Sequence, residues 1–186
     1  MQHHGGKTTE LACLSCNQAH ITACEMNGIR LERLKYNIEK QGAGCIYTIK
    51  KDARQMEEYF SFDSILLDAP CSGSGTLNID GRNLEKTFTK KLIQKSTSSQ
   101  EILLNKAIKI LKHGHEMVYS TCSILDYENE NIINKVLSQE NVEIVPINFK
   151  GIEELPLLPT KIKGTICVAP NELYEGFFVA KIRKSK

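Results

Sequence analysis

Short apolar runs of strand length alternate along this chain with longer amphipathic stretches, and each pattern predicts its own kind of element. Ile21-Thr22-Ala23-Cys24 reads as a strand. Residues 28–40 predict a helix, because Leu31, Leu34 and Ile38 fall at i, i+3 and i+7 on one face, and Gly42 and Gly44 stop it. Residues 45–50 are β-rich, 53–59 predict a short helical piece, and Ser64-Ile65-Leu66-Leu67 predicts a strand buried on both faces that ends at Asp68. Residues 89–95 and 99–112 predict two helices, the second with an apolar stripe of Leu103, Leu104, Ala107, Ile108 and Leu111. Residues 117–119 predict another buried strand, and Asp126 is placed to cap a helix that turns Ile132, Ile133, Val136 and Leu137 to a core. Residues 142–147 and 177–182 close the chain as strands, with a loop holding Pro156, Pro159 and Pro170 between them. Strands alternating with helices of crossover length predict an α/β domain with a mostly parallel sheet, one of the closing pair running antiparallel.

Composition narrows the class. A chain of 186 residues, 41 % hydrophobic and 25 % charged, is an ordinary globular domain and neither disordered, collagen-like nor coiled-coil. No apolar run approaches the ~18 residues of a membrane span, and no basic segment followed by an apolar one opens the chain, which predicts a cytoplasmic protein without a membrane partner. A net charge of +2 neither requires nor excludes nucleic acid. Seven cysteines, an odd number at irregular spacing, predict reduced thiols rather than a disulfide framework.

In open parallel sheets ligands sit beyond the carboxyl ends of the strands. One such end carries Asp68-Ala69-Pro70-Cys71-Ser72-Gly73-Ser74-Gly75, where an Asp directly after a buried strand is costly unless it binds something. The next predicted strand ends Tyr119-Ser120-Thr121-Cys122-Ser123, so Cys71 and Cys122 are expected to face one crevice. For a single buried cysteine, packing as a small hydrophobe is the commoner role, and two at equivalent strand ends shift the balance. Upstream, Gly5-Gly6-Lys7-Thr8-Thr9 precedes a helical stretch and offers backbone N–H groups to an anionic group. Glu25 closes the strand about twenty residues later, where an acid accepts from both ribose hydroxyls of an adenosine cofactor, and Asp52 has a similar standing. Arg30 either steadies Glu25 or sits exposed on its helix.

The two cysteine loops, in this order, resemble the signature loops of the RsmB-type (Sun-type) RNA 5-methylcytosine methyltransferases. Gly5-Gly6-Lys7-Thr8, Arg30-Leu31-Glu32-Arg33-Leu34 with Asn37, Glu128-Asn129-Glu130 and the segment from Glu175 to Lys181 are similar too, so the resemblance runs nearly end to end. It implies a single Rossmann-like class I methyltransferase domain over residues 1–186 that uses S-adenosylmethionine and acts on ribosomal or transfer RNA. Cys122 is then the nucleophile that adds to carbon 6 of cytosine, Cys71 assists product release, and Asp68 holds the base edge and lies at the cofactor. Gly5, Gly6, Lys7, Glu25, Arg30 and Asp52 line the cofactor, with Glu25 on the ribose and Asp52 on the adenine amino group.

Only Met1-Gln2-His3-His4 precedes Gly5, whereas the resemblance calls for a first strand there. A domain truncated at its amino end is therefore expected, its first strand supplied by a missing segment or a partner chain. A catalytically impaired relative that binds RNA or a partner protein is the alternative. A P-loop hydrolase fails because Met1 stands where the phosphate loop needs glycine. Cys13-Leu14-Ser15-Cys16 near His3, His4 and Cys24 is a weak zinc pattern, since residues three apart on a helix can both pack inward, and no metal is expected. Lys112-His113-Gly114-His115 reads as a surface turn. Lys86, Lys90, Lys91, Lys95, Lys181, Arg183 and Lys184 either contact phosphates or are simply solvated.

Overall fold

A computed structural model describes residues 5–76 and 89–186, which fall into two compact units, Met1–Glu57 and Glu58–Lys186. Lys86 and the first four residues, His3 and His4 among them, lie outside the described residues.

The first unit holds α1 (Gly6–Leu14), β1 (Ile21–Cys24), α2 (Gly28–Lys40) and β2 (Ile46–Ile49). Gly5 opens α1 with φ 94°, a left-handed turn, and a Cβ there would stand 2.6 Å from Leu34 Cδ1. The Asn27 side chain accepts from the Arg30 N–H at 3.0 Å and starts α2. Leu31 and Leu34 are buried with Ala23, and Ile38 and Ile46 pack against them, so the predicted stripe forms the core of this unit. β1 and β2 run parallel, Ile21 opposite Ile46 and Cys24 opposite Ile49, which brings their carboxyl ends side by side. The piece predicted over 53–59 is only a 3-10 turn, Ala53–Gln55, begun by the Asp52 side chain on the Arg54 N–H. Cys13 and Cys16 are exposed rather than packed inward, because it is Ala12 that α1 turns to the interior.

The second unit contains β3 (Phe62–Asp68), α3 (Lys90–Ile110), β4 (Leu111–Thr121), α4 (Glu130–Gln139), β5 (Val142–Ile144), β6 (Leu157–Leu158), β7 (Ile166–Val168) and β8 (Phe177–Lys184). The sheet order is β3-β4-β8-β7-β6, with β5 also on β8. β3 and β4 are parallel neighbours, Asp68 opposite Ser120, and β8 enters antiparallel beside β4 as expected of a closing strand. The core joins Leu104, Ala107 and Ile108 of α3 to Met117 and Tyr119 of β4, Ile132, Ile133 and Val136 of α4, and Phe178, Ala180 and Ile182 of β8.

Several expectations are corrected. The two helices predicted over 89–95 and 99–112 are one, Lys90–Ile110, with Leu111 and Lys112 already in β4, because the Thr97 and Ser98 hydroxyls turn back onto the Gln94 carbonyl at 3.0 and 2.9 Å and are satisfied without breaking it. Asp126 does not cap α4; it sits in a 3-10 turn, Asp126–Glu128, and pairs with Lys161. The proline-bearing loop contains the short strands β6 and β7. Lys112 to His115 bulge out of β4, with Gly114 at φ 77°. β3 is not buried on both faces: Leu66 is 38 % exposed and Asp68 is exposed, because among the described residues only β4 pairs with β3. No ladder joins β1 to β3 among the described residues, and the expected first strand is not one of them.

Candidate active site

At the carboxyl ends of β3 and β4 the chain makes two loops that are stitched together. The Ala69 N–H donates to the Ser120 carbonyl at 2.9 Å, and Ser120 Oγ to Asp68 Oδ1 at 3.3 Å. The Gly75 N–H donates to the Cys122 carbonyl at 3.0 Å, and the Gly176 N–H to the Gly75 carbonyl at 2.7 Å. Only glycine fits at position 75, because a Cβ would lie 2.1 Å from the Gly176 oxygen. Gln100 of α3 donates to the Pro70 carbonyl at 2.8 Å from beneath.

These loops bring Cys71 and Cys122, both half-buried, into side-chain hydrogen-bonding contact. That hydrogen bond is the first cause holding the Cys71 thiol far above the ordinary thiol range, followed by burial and by repulsion from Cys122 and Glu128; the Gly73 N–H, aimed at the sulfur, opposes them. Asp68 stands at the end of β3 within reach of solvent, so its place rests on accessibility at the strand end and not on the cost of burial.

Glu128 and Asn129, just before α4, anchor the loops, and Glu130, its first residue, holds the chain at Lys161; these roles were not predicted from sequence. Glu128 is fully buried and grips Ser72, accepting from its N–H at 2.7 Å and its hydroxyl at 2.6 Å. Asn129 accepts from Thr121 Oγ1 at 2.5 Å and donates to the Ser123 carbonyl at 2.8 Å. Glu130 accepts from the N–H groups of Lys161 and Ile162. Ser74 Oγ and Ser123 Oγ, 2.8 Å apart, cross-link the loops directly, and Ser123 Oγ takes the Leu125 N–H. The signal for this network was Glu128-Asn129-Glu130 itself, three polar residues in a row before an amphipathic helix.

In the first unit, Glu25 and Asp52 follow the adjacent ends of β1 and β2. Glu25 Oε1 accepts from the Asn27 N–H at 2.8 Å. Asp52 is clasped by Arg54 through Nε at 2.9 Å and Nη2 at 2.6 Å, and this hydrogen bonding holds its carboxyl below the usual range. Burial, then Asp52 and Glu25, push the neighbouring Cys24 thiol up. Gly5, Gly6 and Lys7 form the turn and first residues of α1, where Thr9 Oγ1 donates back to the Gly5 and Gly6 carbonyls at 3.1 Å. Arg30 is exposed, and no hydrogen bond or ion pair joins it to Glu25.

Some predicted phosphate contacts have structural duties. Lys184 Nζ donates to the carbonyls of Ile108, Lys109 and Leu111 at 2.8, 3.2 and 2.9 Å and finishes α3. Lys181 and Arg183 pair with Glu116. Lys90, Lys91 and Lys95 remain on the first turns of α3. Among the described residues no group of His, Cys, Asp or Glu is arranged to hold a metal, and no helix is long and apolar enough to cross a membrane.

Parallel strands with crossover helices, an antiparallel closing strand and paired loops at the strand ends define a Rossmann-like methyltransferase fold. The chain belongs to the 16S rRNA methyltransferase RsmB/F family, whose model matches residues 3–183. It is 37 % identical over 185 residues to "Ribosomal RNA small subunit methyltransferase F" of Shewanella piezotolerans, covering 97 % of this chain and 38 % of that protein. Among solved structures it is similar to NSun6 from Pyrococcus horikoshii with SFG, at a TM-score of 0.85 and 30 % identity, covering 98 % of this chain and 46 % of that one. A methyltransferase homolog from the same organism matches at a TM-score of 0.81 and 34 % identity, over 97 % of this chain and 58 % of that one. The chain thus spans well under half the length of the curated relative.

Proposed function

We propose that this chain carries the chemistry of an RNA cytosine-5 methyltransferase, moving a methyl group from S-adenosylmethionine to carbon 5 of a cytosine, with ribosomal RNA ahead of transfer RNA as substrate. The observation that carries the reading is the contact of two thiols from adjacent parallel strand ends. A family of 16S rRNA methyltransferases and a curated relative named for the small ribosomal subunit support the substrate class.

Carbon 5 of cytosine is a weak nucleophile. Addition of the Cys122 thiolate to carbon 6 makes it enamine-like, and the Asp68 carboxyl group steadies the charge that develops along the base edge. S-adenosylmethionine supplies an electrophilic methyl group on a sulfonium. Cys71 then takes the proton from carbon 5, and the Cys122 sulfur leaves. Two thiols in contact do not ionise together, so while Cys71 keeps its proton the charge is on Cys122. Once the Cys122 sulfur is bonded to carbon, both its repulsion and its hydrogen-bond acceptance weaken, so that Cys71 gives up its proton to solvent and, as the thiolate, acts as the base. The order of the two half-reactions follows from the pair itself.

The residues of the first unit suit the cofactor. Asn27 orients the Glu25 carboxylate through one oxygen, leaving the other toward a ribose. Asp52, shared with Arg54, serves the adenine amino group, and Gly5 and Gly6 pass the backbone by the methionine end. Lys7 adds positive charge to this cofactor site, and Arg30 stands at its exposed rim. Among the described residues β3 pairs only with β4, and its other edge is where a further strand can add.

The test combines labelled S-adenosylmethionine with total RNA. The parent transfers label, Cys122→Ser loses transfer by at least about a thousandfold, and Cys71→Ala leaves RNA covalently bound on a denaturing gel. RNA binding without transfer by parent and Cys122→Ser alike would instead mark a binding relative.

A further inference from the structure

A buried carboxylate is tolerated only where its oxygens are satisfied. Glu128 meets that condition in an unusual way, since both oxygens go to one residue, the Ser72 N–H at 2.7 Å and the Ser72 hydroxyl at 2.6 Å. Ser72 directly follows Cys71, so the fork fixes the peptide that carries this thiol. The Glu128 carbonyl accepts the Tyr119 hydroxyl at 2.7 Å, which ties the same residue to the strand leading to Cys122. A neutral side chain could hold the turn equally well. A negative charge does something further: it opposes a second negative charge close by, and the thiol next to Ser72 is the one it opposes.

Resting on the reaction proposed above, we propose that Glu128 is the positioning residue that sorts the two thiols, holding the Cys71 loop through Ser72 and, by its charge, reserving the ionised state for Cys122. The groups facing Cys71 agree with this assignment. Cys122 and Glu128 both oppose its ionisation, the Gly73 N–H favours it, and Tyr119 is itself pushed up by burial first, then by Cys71 and Glu128, so the phenol does not compete for the charge.

The test needs neither RNA nor cofactor. The full chain is labelled briefly with iodoacetamide at mildly alkaline pH, and alkylation at each cysteine is read by peptide mass spectrometry, with exposed Cys13 as internal reference. The parent is expected to alkylate Cys122 ahead of Cys71. Glu128→Gln keeps the size of the side chain and an acceptor for the Ser72 N–H; the preference falls about tenfold, the equivalent of one pKa unit, while Cys13 labels as before. Glu128→Asp keeps the charge and restores the preference. A parent that alkylates both thiols equally overturns the proposal without any variant, and so does a folded Glu128→Gln with the parent's ratio. Methyl transfer measured on the same preparations separates the two claims. Sorted thiols without transfer sink the reaction and spare Glu128; transfer with a ratio unmoved by Glu128→Gln sinks Glu128 alone.

Discussion

A buried amide with two partners is worth more than either hydrogen bond suggests, because removing it strands both of the groups it served. Asn129 is 2 % exposed and holds the Thr121 hydroxyl and the Ser123 carbonyl on either side of Cys122. Asn129→Ala is therefore expected to lower unfolding free energy by about 2–4 kcal/mol, one unsatisfied buried group at each end. Urea unfolding checks this; a loss below about half a kcal/mol would show that water replaces the amide. Asp68 teaches the opposite lesson. Its sequence position suggested a carboxylate forced into the interior, yet it is open to solvent, because an apolar run tells nothing of how many strands flank it.

At the scale of elements, the loops after β3 and β4 depend on a backbone-to-backbone approach of Gly75 and Gly176. Gly75→Ala places a methyl 2.1 Å from the Gly176 oxygen, with no flexible side chain to give way. The expected cost is about 3 kcal/mol or more, near the upper end for overpacking, together with loss of methyl transfer. A thermal melt and a transfer assay on the same sample measure both, and an unchanged melt contradicts the geometry. Elements governed by local periodicity were legible: β1 and α2 have the predicted bounds, and the two cysteine loops stand at neighbouring strand ends. What failed depended on distant partners. Nothing local in Thr97-Ser98-Ser99 reveals that hydroxyls will fold back onto the helix, and Asp126 looks like a cap until Lys161 arrives from 35 residues away. β6 and β7 are too short to show a period at all. The anchoring role of Glu128 was hidden for the same reason, as its partner Ser72 is 56 residues upstream.

For the molecule as a whole, buried thiols set an alkaline limit. Burial, with Glu130 and Asp126 after it, pushes Cys167 of β7 from 9.0 up to about 11. The unfolded chain gives up this proton near 9.0 while the folded one keeps it to about 11, so unfolding releases a proton in that window and stability falls as pH rises through it. The full effect is about 2–3 kcal/mol, absent below about pH 8. Cys71 and Tyr119 are raised as well and act with the same sign. Melting temperatures from pH 8 to 11 should fall more steeply for the parent than for Cys167→Ala; parallel curves would exclude the thiol as the cause. The closing strand β8 carries a different consequence. It pairs with β4, β5 and β7, all of which precede it in the chain. A polypeptide still on the ribosome, emerged only through α4, holds Cys71, Cys122 and the Glu128 and Asn129 side chains that tie their loops, but neither β8 nor Gly176. Translation order thus leaves β4 without its antiparallel neighbour until nearly all of this sequence has been made, and the sheet that carries the two cysteine loops is closed last.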